Sequence, residues 1–424
     1  MTGPARPPLP SLRRSLPPVY AAAALRLAFP LVVLPVVAAR LGAEAFGRLG
    51  LLLVWAGVLA LLVEGGFLAA ATRRAVTADA AGRWALARQV FSARCVLSLL
   101  ALAGACAVVP WLLPAAPWRQ QAGAVALLAA LACTLGWPAT WYLQASGQLH
   151  RWARVEFAVY GLWLLAALVL VHGALAYALL QIAATGTLAG LGWWRVRQDL
   201  RAAPAAGRLW SAHAVVPGLR LGGSMLPVAV AGAAYSFALP AVAATRMSRP
   251  ELGLYYLADR VVRALLAAAD PLYQLVYPRI VARMPQGLRA AAAYAGRWAL
   301  LGAVAGAAVL AAGALAWPLL ARWLAAPGRG IDGPALHAVF AVLAWLLPLL
   351  LAWKFIGYWM LGSGRFDTAY RLCVVAGGAF GIAAALAWGG GGAVALAGVA
   401  LAAEGVVIAT ALLGVACTLR ARRA

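Results

Sequence analysis

The sequence predicts an all-α integral membrane protein of about 12 transmembrane helices, arranged as two six-helix lobes related by a parallel pseudo-twofold repeat. Three observations carry this expectation. Of the 424 residues, 65% are hydrophobic and only 11% charged, at a mean hydropathy of +0.88, whereas a soluble domain carries about 25% charged residues. The apolar residues fall into runs long enough to span a bilayer, which takes about 20 residues per helix. The chain also repeats part of itself at a shift of 206 residues.

The runs, bounded by Arg, Pro and Gly clusters, are 17–41, 45–72, 88–114, 119–145, 152–172, 174–196, 216–247, 251–280, 291–320, 334–362, 366–388 and 392–418. Arg13 and Arg14 before the first run give it the look of a signal peptide; its length of about 25 residues and the spans beyond it favour a retained helix. Gly389 to Gly392 is read as a tight turn between the last two helices. The organisation expected is an N-terminal lobe over 1–198, a cytoplasmic linker over 199–215 and a C-terminal lobe over 216–424.

Charge is lopsided: 35 Lys+Arg against 11 Asp+Glu give +24, with Lys354 the only lysine. Such an excess suits nucleic acid, an anionic membrane surface or an anionic substrate. No soluble segment is large enough for a nucleic-acid module, so nucleic acid is excluded as a partner. Cations concentrate on the cytoplasmic side of membrane proteins. Sorting them by loop assigns 24 to one face and 7 to the other, with Arg26, Arg260, Arg263 and Lys354 left inside spans. Both termini are therefore expected in the cytoplasm. The five cysteines lie in apolar stretches without CxxC spacing, which indicates neither disulfides nor a metal site, and no cofactor is implied.

The repeat places Arg14 on Arg220, Arg40 on Arg246, Gly47 on Gly253, Glu64 on Asp270, Arg73 on Arg279 and Arg83 on Arg289. An even number of spans per half inserts both halves with one orientation, and in such transporters substrate passes between the halves. Pro30, Pro35, Pro138, Pro227, Pro240, Pro271 and Pro348 are expected to kink their spans.

A charge at the bilayer centre costs about 2.5–3.5 kcal/mol on insertion scales and asks for a partner or for water. The eighth run is the richest. Arg260, Arg263, Ala267 and Asp270 recur along one helical stripe, and Asp259 stands four residues before Arg263. One reading has the arginines binding an anionic group, which suits the guanidinium fork; the other has an Asp–Arg pair that only locks helices. Arg26 and Lys354 face the same choice. Glu64 and Asp270 read as a gate or clamp on Arg73 or loop arginines, and Glu404 as a carrier of H+ or Na+. Glu156 reads as interfacial, and His150, His172, His213 and His337 as solvated. Trp141, Tyr142 and Gln144 read as a belt and turn at the membrane surface.

Leu41-Gly-Ala-Glu-Ala-Phe-Gly47, Glu64-Gly-Gly-Phe67, Trp141-Tyr-Leu-Gln144, Gly253-Leu-Tyr-Tyr-Leu-Ala-Asp-Arg260 and Pro271-Leu-Tyr-Gln-Leu-Val-Tyr-Pro-Arg279 resemble, in order and spacing, the bacterial O-antigen flippases. These form the polysaccharide-transport branch of the multidrug/oligosaccharidyl-lipid/polysaccharide exporter superfamily. The resemblance implies a monomer in the bacterial inner membrane, in contact with its lipids, serving polysaccharide and lipopolysaccharide biosynthesis. It implies two lobes around a cationic cavity that moves an undecaprenyl-diphosphate-linked oligosaccharide to the periplasmic leaflet. By position, the cavity candidates are Arg26, Arg260 and Arg263, with Lys354 added from its place in the tenth span. Two alternatives stand beside this reading: a multidrug extruder of the same fold, which favours an acidic cavity, and an integral-membrane glycan polymerase or transferase. The latter needs a catalytic set on a large outer loop, and every outward loop here is short, so the chain is not expected to be an enzyme.

Overall fold

The computed structural model describes residues 10–41, 43–113, 116–203, 207–232, 247–324, 333–388 and 391–420. Those residues are helical apart from short connections. In chain order the helices are α1 (Leu12–Leu41), α2 (Ala43–Glu64), α3 (Phe67–Thr77), α4 (Ala80–Leu112), α5 (Trp118–Gly136), α6 (Thr140–Ala145), α7 (Leu149–Leu170) and α8 (Ala174–Leu200). There follow α9 (Ala212–Gly223), α10 (Leu226–Gly232), α11 (Arg249–Ala267), α12 (Asp270–Ala282), α13 (Leu288–Leu324), α14 (Gly333–Leu343), α15 (Leu346–Ser363), α16 (Asp367–Trp388) and α17 (Gly392–Arg420). Nine described helices or pairs bent by no more than 40° at their break are long and apolar enough to cross a membrane, ten if α9 and α10, bent by 45°, form one span. With α1 and the charged α11–α12 pair they account for the 12 expected places. This is a multi-pass membrane protein.

The chain divides into two compact units, Met1–Leu226 and Pro227–Ala424. In the first, Ala56, Leu59 and Val63 of α2 pack with Ala101 and Ala105 of α4 and with Leu128 and Leu131 of α5, while Val33 and Val37 of α1 meet Trp163 and Ala167 of α7. In the second, Tyr255, Ala258 and Val262 of α11 pack on α14 and α17, and Tyr273, Val276 and Ile280 of α12 pack with α13 and α15. Alanines interleave with the larger residues in these seams; hydrocarbon gives helices no hydrophobic drive to associate, so close backbone approach at such small residues must help supply it. Leu99, Trp111 and Leu315, at 67%, 72% and 82% exposure, are the outer, lipid-facing counterpart.

Breaks, rather than smooth kinks, shape the spans. Pro138 lies in the α5–α6 break, and Pro227, Pro271 and Pro348 occupy the first turn of α10, α12 and α15. A first-turn proline forfeits no helical hydrogen bond, since that N–H has no partner in any case. Pro240 lies outside the described residues. The second span breaks at Gly65–Gly66, whose φ angles of 60° and 76° suit glycine. Its repeat partner breaks at Ala268–Ala269, about one turn earlier by the 206-residue shift.

That second break corrects one expectation. Asp270 does not continue the stripe of Arg260 and Arg263; it opens a new helix. Residues 141–144 are also not a surface belt: Trp141, Tyr142 and Gln144 are buried, and the Thr72 hydroxyl donates to the Trp141 carbonyl at 3.2 Å. His150 is buried against the Gly147 carbonyl rather than solvated.

Candidate functional site

Helix α11 carries the densest charge. It starts at a capping box in which Ser248 and Glu251 satisfy each other's backbone amides. Burial of Tyr255, Ala258 and Val262 at i, i+3 and i+7 then fixes its rotation. Asp259, beside that buried stripe, is 7% exposed. The Arg263 Nε lies 2.9 and 2.7 Å from its two carboxylate oxygens, one helical turn away. Arg260 points to the exposed side and has no hydrogen-bond or ion-pair partner among the described residues. Twelve residues after Glu251, Arg263 lies about 18 Å along the helix.

Next along the chain, Asp270 and Lys354 of α15 form an ion pair at 2.8 Å, each 43% exposed. The Lys354 ammonium lies 4.6 Å from the centre of the Tyr273 ring. Tyr273 is held by its own hydroxyl, which donates to the Leu351 carbonyl at 3.1 Å, so α12 and α15 present both partners from a packed seam.

Glu404 of α17 is the third candidate acid of this unit, after Asp259 and Asp270. It lines a cavity of about 100 Å³ with Ala231, Gly232, Trp353, Gly377 and Gly378. Glycines make the space: a Cβ on Gly377 would collide with the Val407 side chain, and one on Gly378 would come within 3.4 Å of the Ala231 carbonyl. No described residue hydrogen-bonds Glu404, and Arg263 and Lys354 are the cations within its electrostatic reach. Asp259 and Asp270 are thus neutralised by neighbours, whereas Glu404 faces a small void.

In the other unit Arg26 of α1 is exposed and acts electrostatically on Glu156 and Tyr160 of α7, on which α1 packs. Glu156 does not start its helix. It lies seven residues into α7, about 10 Å along it, and accepts from the Trp152 indole at 2.8 Å. Glu64 accepts from the amides of Gly66 at 2.8 Å and Leu68 at 2.6 Å, capping α3 across the glycine break. An acid at a helix N-terminus meets both the free N–H groups and the positive end of the dipole.

One in-span cation escaped the sequence reading. Arg94 of α4 is 1% exposed, donates to the carbonyls of Trp137 and Pro138 at 2.9 Å each, and stacks 5.5 Å from the Phe67 ring. Those carbonyls are the ones left open by the α5–α6 break, so Arg94 replaces lost helix bonds. The interruption at Trp137-Pro138 was its only sequence signal.

No protein-family model matches the chain, and no curated protein sequence does. Solved structures do. A MATE transporter in an outward-facing conformation, described as a multidrug resistance transporter of the MOP superfamily, aligns at TM-score 0.74 over 97% of this chain and 96% of that one, with 14% identity. A MATE protein in its straight conformation gives 0.70 over the same shares at 14% identity. The chain has the MATE fold. A MOP-superfamily transporter from Pyrococcus furiosus, described as having a binding pocket of reversed polarity that suggests a different function, aligns at 0.73 over 97% and 94%, again at 14% identity. Identity this low fixes the MATE fold alone, so substrate has to be argued from this chain's own side chains.

Proposed function

We propose that the chain is a flippase that carries an undecaprenyl-diphosphate-linked oligosaccharide from the cytoplasmic to the periplasmic leaflet of the inner membrane by alternating access, and that it is a transporter rather than an enzyme. One observation carries the reading: of the α11 charges whose side chains are described, Arg260 is exposed and has no partner among the described residues, while the neighbouring acids Asp259 and Asp270 are neutralised by Arg263 and Lys354. A cation held in this way within a span needs water or an anion, and a guanidinium suits the oxygens of a diphosphate in a two-pronged contact. Arg26 supplies the corresponding cation of the other unit. Arg263 and Lys354 become available to substrate when their acids let go, which gives Asp259 and Asp270, with the helix-capping Glu64, the role of gates.

Glu404 supports an ion-coupled cycle. Its cavity of about 100 Å³ is below the roughly 300–1,000 Å³ of sites for drug-sized molecules. It has room for a few waters, at about 30 Å³ each, and so for a proton or a hydrated Na+. The acid that a multidrug extruder would offer a cationic drug here faces a cavity too small for a drug-sized molecule. The extruder keeps one point in its favour, the fold shared with a multidrug resistance transporter.

Proteoliposomes separate the two. The protein should translocate a fluorescent lipid-linked oligosaccharide, and Arg260→Ala should abolish translocation with the protein still inserted. Glu404→Gln should remove its dependence on a proton or sodium gradient. Wild-type activity in Arg260→Ala, or transport of a cationic dye and no glycolipid, would overturn the proposal.

A further inference from the structure

We infer that the Arg-rich end of the first unit holds a binding site for one anionic phospholipid, in a pocket of about 340 Å³ between α7 and α8. It does not depend on what the protein transports. On α7, Arg151, Trp152 and Val155 share a face at i, i+1 and i+4 with Gln148 one turn before them; on α8, Leu191, Trp194 and Arg195 share one at i, i+3 and i+4. Helix α7 begins and α8 ends at this same side, so both walls pass from arginine to hydrocarbon in the same direction. From Arg151 to Val155 and from Arg195 to Leu191 is four residues, a descent of about 6 Å.

That gradient is the profile of a phospholipid. Its phosphate would lie between the guanidiniums, its first methylenes against Val155 and Leu191. Trp194, 57% exposed, would sit at glycerol depth, where indoles favour the membrane interface. The two arginines are prepared differently. Arg195 is aimed: its Nε donates to Gln148 Oε1 at 3.0 Å and one terminal nitrogen meets Asp199 at 3.1 Å. Asp199 is itself fixed by Gln148 and by the Tyr142 hydroxyl. The other terminal nitrogen of Arg195 has no partner among the described residues. The Arg151 side chain is exposed and has none at all among them. Arg14 and Arg154 stand close enough to act with Arg151 on His150, which deepens the positive potential at this end. Basic pockets between membrane helices on the cytoplasmic side are where lipid headgroups bind. The apolar floor is what a soluble phosphate could not use.

The full-length protein in detergent would be titrated with dioleoyl phosphatidylglycerol, with the matched phosphatidylcholine and with inorganic phosphate, and bound lipid counted by native mass spectrometry. One phosphatidylglycerol per chain should be retained in preference to phosphatidylcholine. Arg151→Ala should weaken it about fivefold, the worth of one surface cation, and Arg151→Lys should restore most of that. Among the described residues the Arg151 side chain makes no hydrogen bond or ion pair whose loss would unfold the helix. Val155→Trp, which fills the floor and leaves both arginines, should weaken binding as well, and inorganic phosphate should not displace the lipid. Equal retention of the two lipids, wild-type binding by both Arg151→Ala and Val155→Trp, or displacement by inorganic phosphate would each overturn the assignment.

Discussion

Arg94 and Arg260 are both arginines in membrane helices, and their surroundings assign them opposite tasks. Arg94 has no water and two open carbonyls to satisfy; Arg260 has exposure and no protein partner among the described residues. The Trp137 carbonyl keeps a second donor, the Trp193 indole at 2.9 Å, so removing Arg94 leaves the Pro138 carbonyl unpaired at about 1–3 kcal/mol and opens a cavity besides, whereas exposed substitutions stay within about 0.5 kcal/mol. Arg94→Ala should therefore lower the thermal midpoint in detergent by several degrees, and Arg260→Ala should leave it near wild type. Equal midpoints for the two variants would show that Arg94 does not hold the α5–α6 break. Sequence separated the two poorly. Hydropathy places the third span at 88–114, which makes Arg94 an end residue, but α4 starts at Ala80 behind its cap Asp79, so Arg94 lies about 21 Å along the helix. An apolar window cannot see a helix continue beyond the membrane. Arg260 and Arg263 stood out because nothing apolar-tolerant explained them, yet their pairing was only half legible: the four-residue spacing pointed to Asp259, while Lys354 and Asp270, 84 residues apart, gave no local sign of meeting.

Helix seams are fixed by glycines spaced four apart. On α13, a Cβ at Gly306 would stand 2.5 Å from the Pro348 backbone, and one at Gly302 would strike the Leu351 carbonyl of α15. Gly218 and Gly222 of α9 approach Gln89 of α4 and Gly65 of the second-span break in the same way. These are small-xxx-small contacts, in which missing side chains let backbones touch. Gly313, seven residues further along α13, faces open space. Alanine there should be neutral or slightly stabilising, since glycine in a helix interior costs about 0.5–1 kcal/mol. Gly306→Ala must instead push α15 away, and overpacking typically costs about 1–3 kcal/mol. Thermal unfolding of the two variants checks this, and an equally tolerated Gly306→Ala would mean that the α13–α15 seam yields. The glycines were visible in the sequence, but spacing does not say which face meets a neighbour. The breaks were legible by unequal degrees: Glu64-Gly-Gly marks the first plainly, whereas Ala268–Ala269 has no breaker of its own and is revealed by Pro271 beginning a helix rather than bending one.

For the whole molecule, the question is how one repeat came to serve both halves. The equivalent breaks after Glu64 and before Asp270, each followed by a short helix that ends near an arginine, make the two halves copies in structure as well as in spacing. Their orientation in the membrane then follows from counting. Between Ala78, after α3, and Gln286, after α12, lie six spans: α4, α5–α6, α7, α8, the span containing α9 and α10, and the α11–α12 pair. With α9 and α10 taken as one span the count is even, and an even count returns the chain to the side it left, which predicts parallel copies. An inverted repeat would need an odd count. The cations agree, since Arg73, Arg74 and Arg83 surround the first position and Arg279, Arg283 and Arg289 the second, and clustered arginines stay on the cytoplasmic side. Single cysteines introduced at Ala78 and Gln286, in a chain whose five native cysteines are replaced, should both resist a membrane-impermeant maleimide in intact cells and react once the inner membrane is opened. A cysteine at Ala116, in the connection between α4 and α5, should react in intact cells. Labelling of Ala78 and Gln286 from opposite sides would require one span fewer or one more between them, and with it an inverted arrangement.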